Sequence, residues 1–142
     1  VRFRGKRIHF GEWAYGYYHK NTLGNSYITE ITQDNSAPCS PKPKDSREYK
    51  VDPQTVSQYI GVKGSNGYDI FVGDIVKDDT NIAIVKFGKY QANNNRSYSN
   101  ERAYGFYLEF ISHKGIIDHA TNLEYYEVIG NIHDNPELLK AD

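Results

Sequence analysis

Apolar and polar residues alternate along most of this chain with a period of two, the spacing that sends successive side chains to opposite faces of a strand. Trp13, Tyr15 and Tyr17 share one such face, and only Ala14 and Gly16 stand opposite them. After the turn-forming run at 21–25, residues 26–31 set Tyr27, Thr29 and Ile31 against Ile28 and Glu30. The two segments predict a hairpin. In residues 82–87, Ile82, Ile84 and Lys86 fall on one face and Ala83, Val85 and Phe87 on the other, which predicts a core strand buried on both sides. Further strands are predicted at 2–7, around 70–76, at 103–112, at 116–117 and at 125–132. Helical periodicity is scarce. Asp52 before Pro53, and Asn135 before Pro136, have the cap-then-proline order of a helix start, so two short helices are predicted, at 53–58 and at the C-terminal end.

Thirteen Tyr and six Phe among short Val- and Ile-rich runs reinforce the strand reading. Residues 32–50 break the pattern. This stretch contains Pro38, Pro41 and Pro43 among Ser, Asp and Lys, a composition with little to bury, and is expected to be a flexible loop in a single domain covering 1–142. The Asn-rich stretch at 91–102 is expected to be a loop as well.

Seventeen Lys and Arg against 18 Asp and Glu give a net charge of -1, which excludes an overall polycation that coats nucleic acid by charge alone. The distribution is uneven. Arg2, Arg4, Lys6, Arg7 and Lys20 face only Glu12 in the first twenty residues, while from Asp118 onward Asp118, Glu124, Glu127, Asp134, Glu137 and Asp142 face only Lys140. Two solvated ends and two complementary subunit surfaces both fit this asymmetry. A single cysteine, Cys39, cannot close an intramolecular disulfide. The chain lacks an apolar run of bilayer length, and its first residues lack the apolar stretch of a secretory signal, so the expected location is the cytoplasm, with no membrane partner.

Candidate chemistry is sparse. Gly73–Asp74 precedes the apolar pair Ile75–Val76, and Asp74 is expected to satisfy turn amides rather than act as an acid or base. The histidines at 9, 19, 113, 119 and 133 do not form the i, i+4 pair that organises a zinc site, and Cys39 sits in the expected loop without a fixed base. Phosphate-loop, dinucleotide and nucleophile-elbow patterns are missing, so no catalytic residue, metal or cofactor is expected. The aromatic strand offers the one binding constellation: Trp13, Tyr15 and Tyr17 beside Arg4, Lys6 and Lys20. Packed inward, the rings would supply burial energy while Ala14 and Gly16 admit a neighbouring backbone. Left outside, they would form a stacking platform bordered by cations, as single strands of nucleic acid require. Packing inward is the expected arrangement.

RGKR at 4–7, GEWAYGYYHK at 11–20, VDPQTVSQYIGVKGSNGYDIFVGDIVK at 51–77 and EYYEVIGNIHDNPELL at 124–139 together resemble the YopX family of phage and prophage proteins. The resemblance implies a β-rich fold of short, coiled antiparallel strands with an SH3-like barrel component, placed here at 68–87, and it implies a genomic setting rather than a reaction. The expected function is that of a non-enzymatic phage or prophage accessory protein in the bacterial host cytoplasm. It would act by binding a phage or host protein and by self-association as a homo-oligomer. The alternative is a nucleic-acid-binding module using the basic start and the aromatic strand.

Overall fold

The computed structural model describes residues 2–33, 43–93 and 102–140. The chain is mainly β and divides into two compact units, Val1–Gln58 and Tyr59–Asp142.

In the first unit, β1 (Phe3–Lys6), β2 (Trp13–Lys20), β3 (Ser26–Gln33) and β4 (Pro43–Val51) form an antiparallel sheet in the order β4-β3-β2-β1. Ser57 and Gln58, which open β5 (Ser57–Lys63), pair with Arg4 and Phe3. The expected hairpin of β2 and β3 is present, with Tyr17 opposite Thr29 and Lys20 opposite Ser26. Ala14, Ile28 and Val51 are buried together, and Phe3, Tyr18, Tyr49 and Val56 pack around them.

The loop expected at 32–50 needs correction. Residues 34–42 lie outside the described residues, but Thr32 and Gln33 belong to β3, and Pro43–Val51 is a nine-residue strand that pairs with it from Ser26↔Val51 to Gln33↔Pro43. Composition underrates this segment because Arg47, Glu48 and Lys50 are exposed, where charge costs little, while Val51 is buried and Tyr49 packs against the core.

In the second unit, the rest of β5 pairs with β6 (Asp69–Phe71). A five-stranded antiparallel sheet runs β10-β9-β8-β7-β11, built from β7 (Asp74–Lys77), β8 (Ile82–Gln91), β9 (Arg102–Phe110), β10 (Ile117–His119) and β11 (Glu127–Asn131). Its edges, β10 and β11, do not pair with each other, so among the described residues this sheet is open and the SH3-like barrel expected at 68–87 does not close. Ile70, Val76, Ala83, Val85, Leu108, Phe110 and Leu123 form its core. β8 is not buried on both sides as expected: Ala83 and Val85 are fully buried on one face, which turns outward at Phe87 and Lys89, and Ile82, Ile84 and Lys86 on the other face are only half-buried.

Neither expected helix forms. Pro53–Thr55 and Pro136–Leu139 are single 3-10 turns, and a third spans Leu123–Tyr125. The cap at Asp52 works as its sequence suggests, its Oδ1 accepting from the Gln54 amide at 3.0 Å, but Val56 is already extended and β5 begins at the next residue. Strand pairing claims the chain before a second turn can nucleate. Asn135 makes no cap bond; its Oδ1 accepts instead from the Asn131 amide. No helix among the described residues is long and apolar enough to cross a membrane.

Two carboxylates hold the turns of the second unit. Asp74, 1 % exposed, accepts from the Phe71 amide at 2.8 Å across the turn that joins β6 to β7. Gly73 within that turn has φ 91°, a conformation that glycine adopts without strain. Asp78 organises the β7–β8 turn: its Oδ1 accepts from the amides of Thr80 and Asn81 at 3.0 and 2.7 Å. Desolvation resists ionisation of Asp78, but the hydrogen bonds from Thr80 and Asn81 outweigh it and hold the carboxyl below its usual range. A group whose folded pKa is depressed contributes stability above its unfolded value of ~3.9 and loses it as pH falls through the folded value. Asp78→Asn is therefore expected to melt below the parent at pH 7, with a gap that narrows below about pH 4. A gap that stays constant in melting curves from pH 7 to pH 3 would contradict this assignment.

Candidate functional site

The aromatic strand β2 sits inside its sheet, between β1 and β3, so both of its faces are set by register. Ala14 is 1 % exposed and faces the core, as does Tyr18, whereas Tyr15 and Tyr17 are 42 % and 57 % exposed on the opposite face. The inward packing expected for the rings is thus overturned. A close approach needs small residues, and the face bearing Ala14 and Gly16 provides it. A Cβ on Gly16 would lie 2.8 Å from the Thr29 carbonyl carbon and closer still to its oxygen, so β3 occupies the space a side chain would take.

The pairs Arg4↔Tyr15 and Lys6↔Trp13 place both cations of β1 on the ring face. The Arg4 guanidinium stands 4.6 Å from the Trp13 ring centroid, and its Nε donates to Ser57 Oγ at 3.1 Å. Arg4 is only 5 % exposed; the indole face and the hydroxyl offset part of the cost of desolvating its charge. Lys6 Nζ lies 5.8 Å from the same ring. Trp13 is accordingly half-buried under cationic side chains, while Tyr15 and Tyr17 present ring surface to solvent.

Lys20 does not join them. Three residues beyond Tyr17, it falls on the other face of β2, opposite Ser26. Sequence reasoning missed three members of the face. His19 stacks on Tyr27 with ring centroids 5.6 Å apart and planes at 18°, and Lys50 pairs across from Tyr27. The alternation of His19 with Tyr17 was visible in the sequence, but Lys50 is recruited by the β3–β4 register, from a segment read as a loop. Carboxylates reach the face as well: Glu48 Oε2 lies 3.4 Å from His19 Nε2, and Glu30 Oε1 accepts from the Tyr15 amide at 3.3 Å. Among the described residues, no group of three or more His, Cys, Asp or Glu is placed to hold a metal ion, and Cys39 lies outside those residues.

Compared with known protein families, the sequence matches the family described as YopX protein over residues 2–140. The chain belongs to the YopX family. The YopX match takes in every strand from β1 to β11, including the ring face, the Asp74 turn and β11. No curated protein matches the sequence significantly.

Proposed function

We propose that this YopX-family chain is a non-enzymatic accessory protein of a phage or prophage, acting in the bacterial host cytoplasm, and that its first unit binds single-stranded nucleic acid on the outer face of β2. The observation that carries this reading is the exposure of Tyr15 and Tyr17 beside the cations of β1. Solvent-facing rings in a row two residues apart, ~6.6 Å along a strand, give successive bases a platform, and every base has a π-face to offer it. Charge supports the same ligand. The first unit has nine Lys and Arg against six Asp and Glu, whereas the second has eight against twelve.

Self-association is a second reading, favoured by β4, a nine-residue strand at the edge of its sheet, whose side away from β3 is engaged at its C-terminal end, where Arg7 bridges Val51 and the Ile8 amide donates to the Lys50 carbonyl, and which has no strand paired along the rest of that side among the described residues. Such an edge is a template for another chain.

One preparation tests both. With a labelled oligothymidylate of ~16 nucleotides at low salt, Tyr15→Ala combined with Tyr17→Ala is expected to weaken binding by at least about 30-fold, since stacking contributes ~1–3 kcal/mol per base. Melting should hardly move, because both rings are largely exposed. Parent protein that ignores the oligonucleotide, or a double variant that binds it equally well, would end the nucleic-acid reading. Sedimentation of the same sample decides the other: pairing of β4 edges predicts a dimer, and a clean monomer of 16.3 kDa at micromolar concentration removes it.

A further inference from the structure

The β8–β9 ladder leaves its core halfway along. Its register runs Ala83↔Phe110 and Val85↔Leu108, then Phe87↔Phe106, Lys89↔Tyr104 and Gln91↔Arg102, all on one face. The first two pairs are buried core. The last three continue the same face into solvent, with Phe87 46 % and Tyr104 69 % exposed.

The opposite face of this outer half is occupied by the unit itself. Gly88 and Gly105 pair directly and leave it bare at that point, and beyond them Tyr90 stacks on Tyr107 with centroids 4.8 Å apart and hydrogen-bonds His119 Nδ1. Burial, with Asp118 nearby, pushes the Tyr90 hydroxyl above its ordinary pKa. Asn93 ties the end of β8 down: its amide donates to the Ile117 carbonyl at 3.0 Å, its side chain donates to the Gly115 carbonyl at 2.7 Å, and its Oδ1 accepts from the Ile117 amide at 2.6 Å. One face is thus filled by Tyr107, His119 and the β10 backbone, and the other shows its rings to solvent.

We propose that this outer face of β8 and β9 is a second binding site for single-stranded nucleic acid, with Tyr104 and Phe87 stacking on bases and Lys89 and Arg102 contacting phosphates. Cross-strand ring packing alone would explain Phe87 against Phe106, at 4.9 Å, but not why Tyr104, the most exposed ring of the ladder, lies edge-on to Phe87 and leaves its own surface open. Charge commits the occupant to a polyanion. The six outer positions contain two cations and no carboxylate, within a unit where acidic residues outnumber basic ones twelve to eight. An acidic protein would match the charge but not the flat, exposed rings, which suit bases better.

This inference rests on residues separate from the first-unit face, and its test keeps the two apart. Using the full chain and the same ~16-nucleotide oligothymidylate, Tyr104→Ala should weaken binding about 5–150-fold, the equivalent of one lost base stack. Because that change could also loosen the ladder, Lys89→Gln combined with Arg102→Gln serves as a second variant with every ring intact. It should reduce the slope of log affinity against log salt by about 1.4, the value for two phosphate contacts on a single strand. Both variants binding within twofold of the parent would overturn the site, as would polyglutamate of equal length binding as tightly as the oligonucleotide. If Tyr104→Ala loses affinity while the Tyr15 and Tyr17 double variant keeps it, this site stands and the first-unit reading falls. The reverse pattern overturns this site alone, and a parent that binds no oligonucleotide overturns both.

Discussion

Asp74→Ala is expected to destabilise the second unit by about 3 kcal/mol, at the upper end of the range for stranding a buried donor. The carboxylate is 1 % exposed and accepts from the Phe71 amide inside the turn that delivers Ile70 and Phe71 on one side and Ile75 and Val76 on the other, all four buried. Alanine takes that acceptor away inside a buried turn and opens a small void beside buried residues. Asp74→Asn retains an acceptor of the same shape and should cost distinctly less. Urea unfolding followed by far-UV circular dichroism separates them: midpoints should fall in the order parent, Asn, Ala with unchanged slope. An alanine variant within about 0.5 kcal/mol of the parent, as an ordinary surface change would be, would show that the turn does not depend on this carboxylate.

Gly16→Ala is expected to cost the first unit on the order of 3 kcal/mol, the upper part of the range for overpacking. The added methyl meets the Thr29 backbone rather than the end of a flexible side chain, so relief requires β2 and β3 to part at the Tyr17↔Thr29 pair. That movement also displaces Tyr17 and should weaken any ligand held on the ring face. Gly24→Ala is the control: φ there is 83°, but nothing lies within 4 Å of an added Cβ, so only the ~1–2 kcal/mol penalty of a left-handed conformation applies. The chain has one tryptophan, Trp13 in β2, so indole fluorescence reports this unit directly. Equal midpoints for the two variants would mean that β3 does not press on Gly16.

The sequence by itself determined the class of fold and much of its punctuation. Alternation at 13–17, 26–31 and 82–87 marked strands because side-chain direction in an extended chain depends only on parity. Asp52 could be read as a cap and Asp74 as a turn residue because a carboxylate reaches amides two or three residues away without help from the rest of the fold. Decisions that needed a second strand lay outside its reach. Parity placed Trp13, Tyr15 and Tyr17 on one face but could not say which face would meet the core; the close approach of Thr29 to Gly16 and the packing of Ile28 and Val51 beside Ala14 decided it. Composition at 32–50 argued for a loop, and pairing with β3 made Pro43–Val51 a strand whose Lys50 joins the ring face. The outer face of β8 and β9 was hidden for the same reason. Phe87 looks like a core residue in its own segment, and only the register with β9 shows that the core ends at Val85 and that Phe87, Lys89 and Tyr104 continue past it into solvent. Burial is a property of paired surfaces, so it is settled by the partner strand and not by the residue.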